Sequence, residues 1–315
     1  MTTLLTQQPN APAAPARSGV RDFWRQLRRS PMGMVGLVML VAIVLVALLA
    51  PWLAPYDPYK PVRARIDTIY APPSAEHPLG TDDGGKDVLS AFIYGSRVSL
   101  IVGFTASFIA VALGGTLGLV AGFYGGRIGA GLMRFTDIFL VIPDLPLYVV
   151  LVALLGPSLW NIILAIALLS WTGTARLVYA QVLAVKERQF VLRARAVGAS
   201  NMHIMRRHIL PMVLPIILAQ NALVIAIAIL SESTLSFLGL GDPTLISWGS
   251  LLNLAFGRGA ISLGAWWALL PHGLGIVWVV LAWTLLGYVI EEMVNPRLKS
   301  HHLMPERGAR GAGPH

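Results

Sequence analysis

The chain has 315 residues and a mean hydropathy of +0.68; hydrophobic residues make up 56% of it and charged residues 12%. A soluble domain carries about twice that share of charge, so a soluble globular protein is excluded, and the lack of cysteine excludes disulfides and thiolate metal sites. In such a chain the net charge of +9 points to Lys- and Arg-rich loops on the cytoplasmic face of a membrane before it points to nucleic acid.

Residues 1–16 are rich in Pro, Ala, Thr and Gln, carry no charge, and read as disordered. Arg17, Arg21, Arg25, Arg28 and Arg29 follow, with Phe23, Trp24 and Leu27 interleaved. That pattern fits a short amphipathic segment on an anionic membrane surface; a solvated basic tail that only sets orientation fits equally.

A first span is predicted from Met32 to Leu53, too long for the core of a cleaved signal peptide and so read as an anchor. The polar loop from Ala54 to Arg97 holds six acids, Asp57, Asp67, Glu76, Asp82, Asp83 and Asp87. Its stretch from Gly80 to Asp87 imitates a phosphate-binding loop. Asp87 stands where a Ser or Thr would meet magnesium, no apolar strand precedes it, and three aspartates would repel phosphate. ATP binding there is rejected.

Further spans are predicted over 98–123, 132–155, 159–182, 211–238 and 266–289. In the second, Gly114, Gly118 and Gly122 recur every fourth residue and allow close approach of another helix. Pro143 and Pro146 flank Asp144 and predict a kink in the third. The order divides the chain into a tail 1–31, a first span with its loop 32–97, a core 98–294 and a tail 295–315. With the N-terminus inside, the inner segments hold five Lys and Arg in the N-tail, two in the first loop, seven from Arg176 to Arg207 and four in the C-tail. Only Lys60, Arg63, Arg65, Lys86, Arg97 and Arg258 fall outside. Both termini are therefore expected in the cytoplasm.

Asp137, Asp144 and Glu232 fall within predicted spans, where an acid needs a partner or water. Asp144, Glu232 and Ser236 are candidates for a polar translocation pathway; structural hydrogen bonding between helices is the alternative. For Asp137, Arg134 one turn away is the expected neighbour.

Between the fourth and fifth spans lies a basic island, 185–215, with Lys186, Arg188, Arg193, Arg195, Arg206 and Arg207. Phe190, Ala194 and Val197 share a helical face, so 186–197 suits a surface helix. Gly198 fits its C-terminal cap, and Ser200 or Asn201 can cap a second helix running into Pro211. Two short helices meeting at a glycine make a knob suited to the groove of a soluble protein. Spans within a few residues on both sides keep such a knob out of a DNA groove, and nucleic acid is not expected as a partner.

The island resembles the coupling loop of bacterial ABC importer permeases, which runs Glu-Ala-Ala, then Gly four positions on, then Ile-x-Leu-Pro. The match lies at Ala194, Gly198, Leu210 and Pro211; Leu192 and Arg193 stand where the family has Glu and Ala. His77-Pro78-Leu79-Gly80-Thr81-Asp82, Tyr94-Gly95-Ser96-Arg97, Met133-Arg134-Phe135-Thr136-Asp137, the Leu235–Gly241 run and Ser247-Trp248-Gly249 resemble the C-type permease of the dipeptide, oligopeptide and nickel branch. The resemblance covers residues 20–299. It implies an all-α integral membrane protein with six transmembrane helices, N-in and C-in, of type I importer permease fold, in the plasma (inner) membrane of a prokaryote.

It also implies a subunit that pairs with a second permease and works with two ATP-binding subunits and an extracytoplasmic solute-binding protein. The ATPases would hold ATP and Mg, while this chain binds no cofactor, holds no metal and is no enzyme. Coupling is assigned on this basis to the 185–211 loop, with Arg193, Arg195, Gly198, Ser200, His203 and Arg207. The branch handles peptides, nickel chelates, opines, glutathione and oligosaccharides, and the sequence does not choose among them. A self-sufficient transporter that uses Asp144 and Glu232 for protons or ions is the alternative. A membrane-embedded enzyme would need clustered ligands; His203 and His208 are five apart, off the spacing that puts two ligands on one helix face.

Overall fold

A computed structural model of the chain describes residues 20–60 and 67–294. The expected disorder of 1–16, the side chains of Arg17 and Arg21, the residues Arg63 and Arg65, and the 295–315 tail lie outside the described residues. Among those described, helix is the only regular element apart from one isolated bridge, Thr81 to Asp87.

The basic N-terminal segment is a helix, α1 (Val20–Arg29), and its Leu27 is buried against Leu286 and Val289. Ser30 caps α2 (Pro31–Leu48) by accepting the Gly33 N–H at 3.2 Å, with Pro31 in the first turn where its missing N–H costs nothing. One side of α2 is buried through Met39, Ile43 and Ala47, while Val35, Val38, Val41 and Leu45 lie exposed. A helix apolar on both sides suits lipid on one of them. A short turn, α3 (Ala50–Leu53), ends this crossing.

The second crossing is longer than hydropathy indicates. α4 (Val88–Tyr124) begins ten residues ahead of the predicted Val98, because Asp87 caps it, accepting the Ser90 N–H at 2.8 Å. Ser90, Ser96 and Arg97 interrupt the apolar residues of this first stretch and hide it from a hydropathy reading. α4 packs along α7 (Leu159–Lys186) through its glycines. A Cβ at Gly114 would run into the Trp171 carbonyl, and one at Gly118 into that of Ala175; one at Gly122 would meet Val182. Only glycine lets the two backbones come this close.

The third crossing is broken. α5 (Gly126–Val141) starts six residues before the predicted Leu132, and α6 (Asp144–Leu155) leaves it at 88°. The break falls at Ile142–Pro143, where proline withdraws a donor and its ring blocks the preceding turn. Among the described residues five helices are long and apolar enough to cross a membrane, and this bent pair makes a sixth crossing when counted as one. α6 joins Val98, Val102, Ile162, Ile166, Ala228 and Leu235 in one core, through Tyr148 and Val152.

The basic island forms α8 (Gln189–Ala196) and α9 (Asn201–Ile204). Residues 186–188 belong to the end of α7 and the turn after it, so the surface helix is shorter than the predicted 186–197. A π-helical turn, Met205–Ile209, joins α9 to α10 (Leu210–Phe237), and the Leu210 N–H donates to the Met205 carbonyl across it. The stretch predicted as a plain loop after α10 contains α11 (Trp248–Gly257), opened by a capping box between Ser247 and Ser250. A 3-10 turn, Trp266–Ala268, leads into α12 (Leu270–Val294).

Successive crossings run in opposite directions. The start of α2, the end of α4, the α8–α9 knob and the end of α12 therefore share one face. The loop before α4 and α11 share the other. The loop before α4 is folded down: Tyr56 N–H donates to Ser90 Oγ at 3.1 Å, Thr81 Oγ to the Thr68 carbonyl at 2.6 Å, and Trp267 Nε1 to the Thr81 carbonyl at 3.2 Å.

Candidate functional site

The knob is built by a helix stop that only glycine makes cheaply. Gly198 has φ of +80°; its N–H donates to the Arg195 carbonyl, and the Ala199 N–H reaches back to the Ala194 carbonyl. This pair of bonds is the Schellman arrangement, with Gly198 in its left-handed position. Ser200 then caps α9, accepting the His203 N–H at 3.3 Å. The turn thus stops α8 at Ala196 and starts α9 at Asn201.

One side of the knob is sealed. Val191 and Ala194 pack with Phe123, Val182, Val185, Ile204, Met205, Ile209 and Val213. The buried face runs through Val191 and Ala194; of the apolar set Phe190, Ala194 and Val197 only Ala194 is buried, and Val197 is 83% exposed. The other side presents Leu192, Val197 and Met202 together with Arg193, Arg206 and Arg207. Ser200, Met202, His203, Arg206 and Arg207 line one shallow hollow. Arg195 is turned differently. Its guanidinium carbon lies 5.4 Å from the centroid of the Phe123 ring, at the end of α4. Lys186 donates to the Gly122 carbonyl beside it at 3.0 Å. Sequence reasoning offered no signal for either contact, since Gly122 and Phe123 lie some seventy residues away in the chain.

The intramembrane acids separate into three environments. Asp137 pairs with Arg176 at 2.6 Å, across to α7, and not with the expected Arg134. Glu232 is buried, with Ser236 donating to one carboxyl oxygen at 2.8 Å and Ser99 and Ser233 to the other at 3.3 Å. Gly249 of α11 sits against Ser233 and Ser236, closing this knot from above. Asp144 is exposed at the first turn of α6, one turn from Tyr148, whose hydroxyl bonds Ser170 at 3.0 Å. Ser170 lies near the middle of α7, so Tyr148 joins α6 to α7 midway along that helix. Among the described residues no ion pair or hydrogen bond joins Asp144 to Glu232.

On the opposite face, Asp87 accepts from Ser90 and meets His77 Nδ1 at 3.0 Å, while Asp83 pairs with Arg258 at 2.6 Å. Asp82 turns inward to accept the Gly84 and Lys86 N–H groups, both at 2.8 Å. Burial pushes its carboxyl pKa up, against the pull of those donors. The three aspartates that made phosphate binding implausible are thus used as caps and pair partners. Trp248, fully buried, donates to the Phe92 carbonyl at 2.9 Å and stacks on the Phe92 ring. Asp242 accepts from the Thr244 hydroxyl and N–H and from the Leu159 N–H. Its pKa is lowered, chiefly by the hydroxyl. No group of three His, Asp or Glu among the described residues is arranged to hold a metal ion.

A polytopic helical membrane protein with a basic two-helix knob on one face and a folded cap on the other is the class these features define. Residues 114–300 match the model for the binding-protein-dependent transport system inner membrane component, and residues 18–73 match the N-terminal transmembrane domain of oligopeptide transport permease C. The chain belongs to this family of inner-membrane transport components. Among its relatives, the dipeptide transport system permease protein DppC of Bacillus subtilis (strain 168) is 36% identical over 94% of this chain and 92% of its own length. The di/tripeptide permease DppC of Pseudomonas aeruginosa (strain UCBPP-PA14) is 38% identical over 92% and 98%. The glutathione permease GsiD of Escherichia coli O157:H7 is 36% identical over 94% and 96%.

Proposed function

We propose that this chain is the membrane subunit of an ATP-driven importer of short peptides or peptide-like solutes. It would form the pathway with a second permease, receive solute from an extracytoplasmic binding protein, and couple to two cytoplasmic ATPases through 185–211. Peptide solutes are favoured because the relatives named above are permeases for dipeptides, di/tripeptides and glutathione, which share short peptide chemistry.

The observation that carries the coupling reading is the outer side of the knob. Leu192, Val197 and Met202 stand in the open beside Arg193, His203, Arg206 and Arg207. Apolar side chains ringed by cations are suited to a groove with an acidic rim. Leu192 and Arg193 replace an acidic and a small residue of the family pattern, so the groove is expected to offer a carboxylate to Arg193. Asp144 is assigned to the pathway, because an exposed acid at the break of a membrane-crossing helix pair requires water or a partner. Glu232 and Ser236, closed in their serine knot, are assigned to holding α11 on α10.

The test is the assembled complex with Gly198→Trp, measuring ATPase stimulation by loaded binding protein. Stimulation should fall about tenfold; undiminished stimulation in a correctly assembled complex would count against the loop's role. Uptake by the purified chain alone, driven by an ion gradient, would instead favour the ion-coupled reading through Asp144 and Glu232.

A further inference from the structure

Of the arginines on α8, Arg195 is the one whose guanidinium the structure sets against the chain's own membrane domain. It lies over Phe123, which is 4% exposed. Phe123 closes the end of α4, and the neighbouring Gly122 carbonyl is held by Lys186 at the end of α7. Above that point α4 and α7 are packed backbone to backbone through Gly114 and Gly118, where no Cβ fits. The ends of α4, α7 and α8 thus meet at one place: Lys186 ties α7 to α4, and Arg195 ties α8 to α4. Between α7 and α8 the chain has only the turn Glu187–Arg188. Val191 and Ala194 already seat α8 in the apolar cluster that includes Phe123, and the Arg195 guanidinium adds the contact that holds the last turn of α8 to the end of α4 when α8 is pushed.

We propose that Arg195 is a positioning residue that clamps α8 onto Phe123, so that displacement of the knob moves the paired helices α4 and α7 as one body. Arg193, Arg206 and Arg207 are left to face the partner. A guanidinium over an aromatic face suits this use: the attraction is broad in angle and survives small sliding, while the ring is not displaced by water. The inference rests on the coupling reading above and assigns Arg195 to its inner side.

The experiment uses the full complex with its partner permease, ATPases and binding protein, reconstituted in lipid. Arg195→Met, Arg195→Lys, Phe123→Leu and the double variant Arg195→Met/Phe123→Leu are compared with wild type. Two quantities are read: the affinity of the ATPase subunits for the membrane subunits, and the maximal ATPase turnover at saturating loaded binding protein. Arg195→Met should keep ATPase affinity within about twofold and lower maximal turnover about two- to fivefold, the size of one exposed cation–aromatic contact. Phe123→Leu should reproduce the loss, Arg195→Lys should recover part of it, and the double variant should be no worse than either single one.

Weaker ATPase binding with normal turnover once bound would make Arg195 a docking contact and overturn the proposal. Additive losses in the double variant would overturn it as well. A wild-type complex without any stimulation would remove the importer reading and this inference together. Normal stimulation in both wild type and Arg195→Met would remove this inference alone. Phe123→Leu and Arg195→Lys keep the comparison decisive where Arg195→Met assembles poorly.

Discussion

Three serine hydroxyls from two helices converge on the carboxyl of Glu232, and the backbone of α11 lies directly over them. Such a group holds its place by hydrogen bonds, because each hydroxyl stripped of its acceptor in the interior loses free energy. Glu232→Gln keeps an acceptor for Ser236 and the volume of the side chain. Glu232→Ala removes both and should destabilise the subunit by about 2–4 kcal/mol, while Glu232→Gln should cost less than half of that. Thermal unfolding of the two variants in detergent checks this, and equal losses would contradict it. Asp242 offers a second residue-scale test. Its native pKa lies below the ordinary value of 3.8, so its clasp on Thr244 and Leu159 stabilises fully above that value. The stability is lost as pH falls through the lower native pKa. Wild type should therefore unfold at a higher temperature than Asp242→Asn near neutral pH, and the gap should close as the pH is stepped down below 3.8. A gap constant with pH would mean that the carboxylate charge plays no part.

At the scale of elements, the α4–α7 pair is the rigid piece of the molecule, and its tolerance for bulk is the quantity to measure. A side chain at Gly118 would strike the Ala175 carbonyl and Val178, neither of which is the loose end of a flexible side chain. Gly118→Leu should therefore cost about 1–3 kcal/mol or more and impair assembly, whereas Gly173→Leu, on α7 with open space at its Cβ, should be nearly neutral. Comparable melting temperatures for the two variants would refute close backbone packing. The fourfold glycine spacing that announced this contact was plain in the sequence, and so were the broken third crossing at Pro143 and the glycine turn at Gly198. Each follows from a local rule of backbone geometry. What sequence reading missed depends on distant partners or on helices without an apolar signature. The early start of α4 rests on one capping carboxylate, α11 is a short helix inside a loop, and Arg176 reaches Asp137 from another helix. The apolar set Phe190, Ala194 and Val197 marked α8 as a surface helix without telling which of its residues lie inward, because eight residues make barely two turns. In so short a helix, Val191 and Ala194 are chosen by what lies beneath them.

For the whole molecule, the direction in which the two faces point decides the coupling reading. The knob face holds the dense cationic loops, and the opposite face holds the acid-rich cap, where Asp83 and Arg258 pair and Asp87 meets His77. Positive charge is retained on the cytoplasmic side during insertion, so the knob is expected in the cytoplasm and the cap outside. Only that orientation would bring Leu192, Val197 and Met202 to the proposed ATPases on the side where ATP is found. The chain has no cysteine, so single cysteines can be introduced without background. Val197→Cys lies on the knob and Ala75→Cys on the cap, both exposed. In intact cells a membrane-impermeant maleimide should label Ala75→Cys and spare Val197→Cys; in inverted vesicles the order should reverse. Labelling of Val197→Cys from outside would place the knob away from ATP. The coupling role of 185–211 and the clamp at Arg195 would then both have to be abandoned, because each requires a cytoplasmic partner to push on α8.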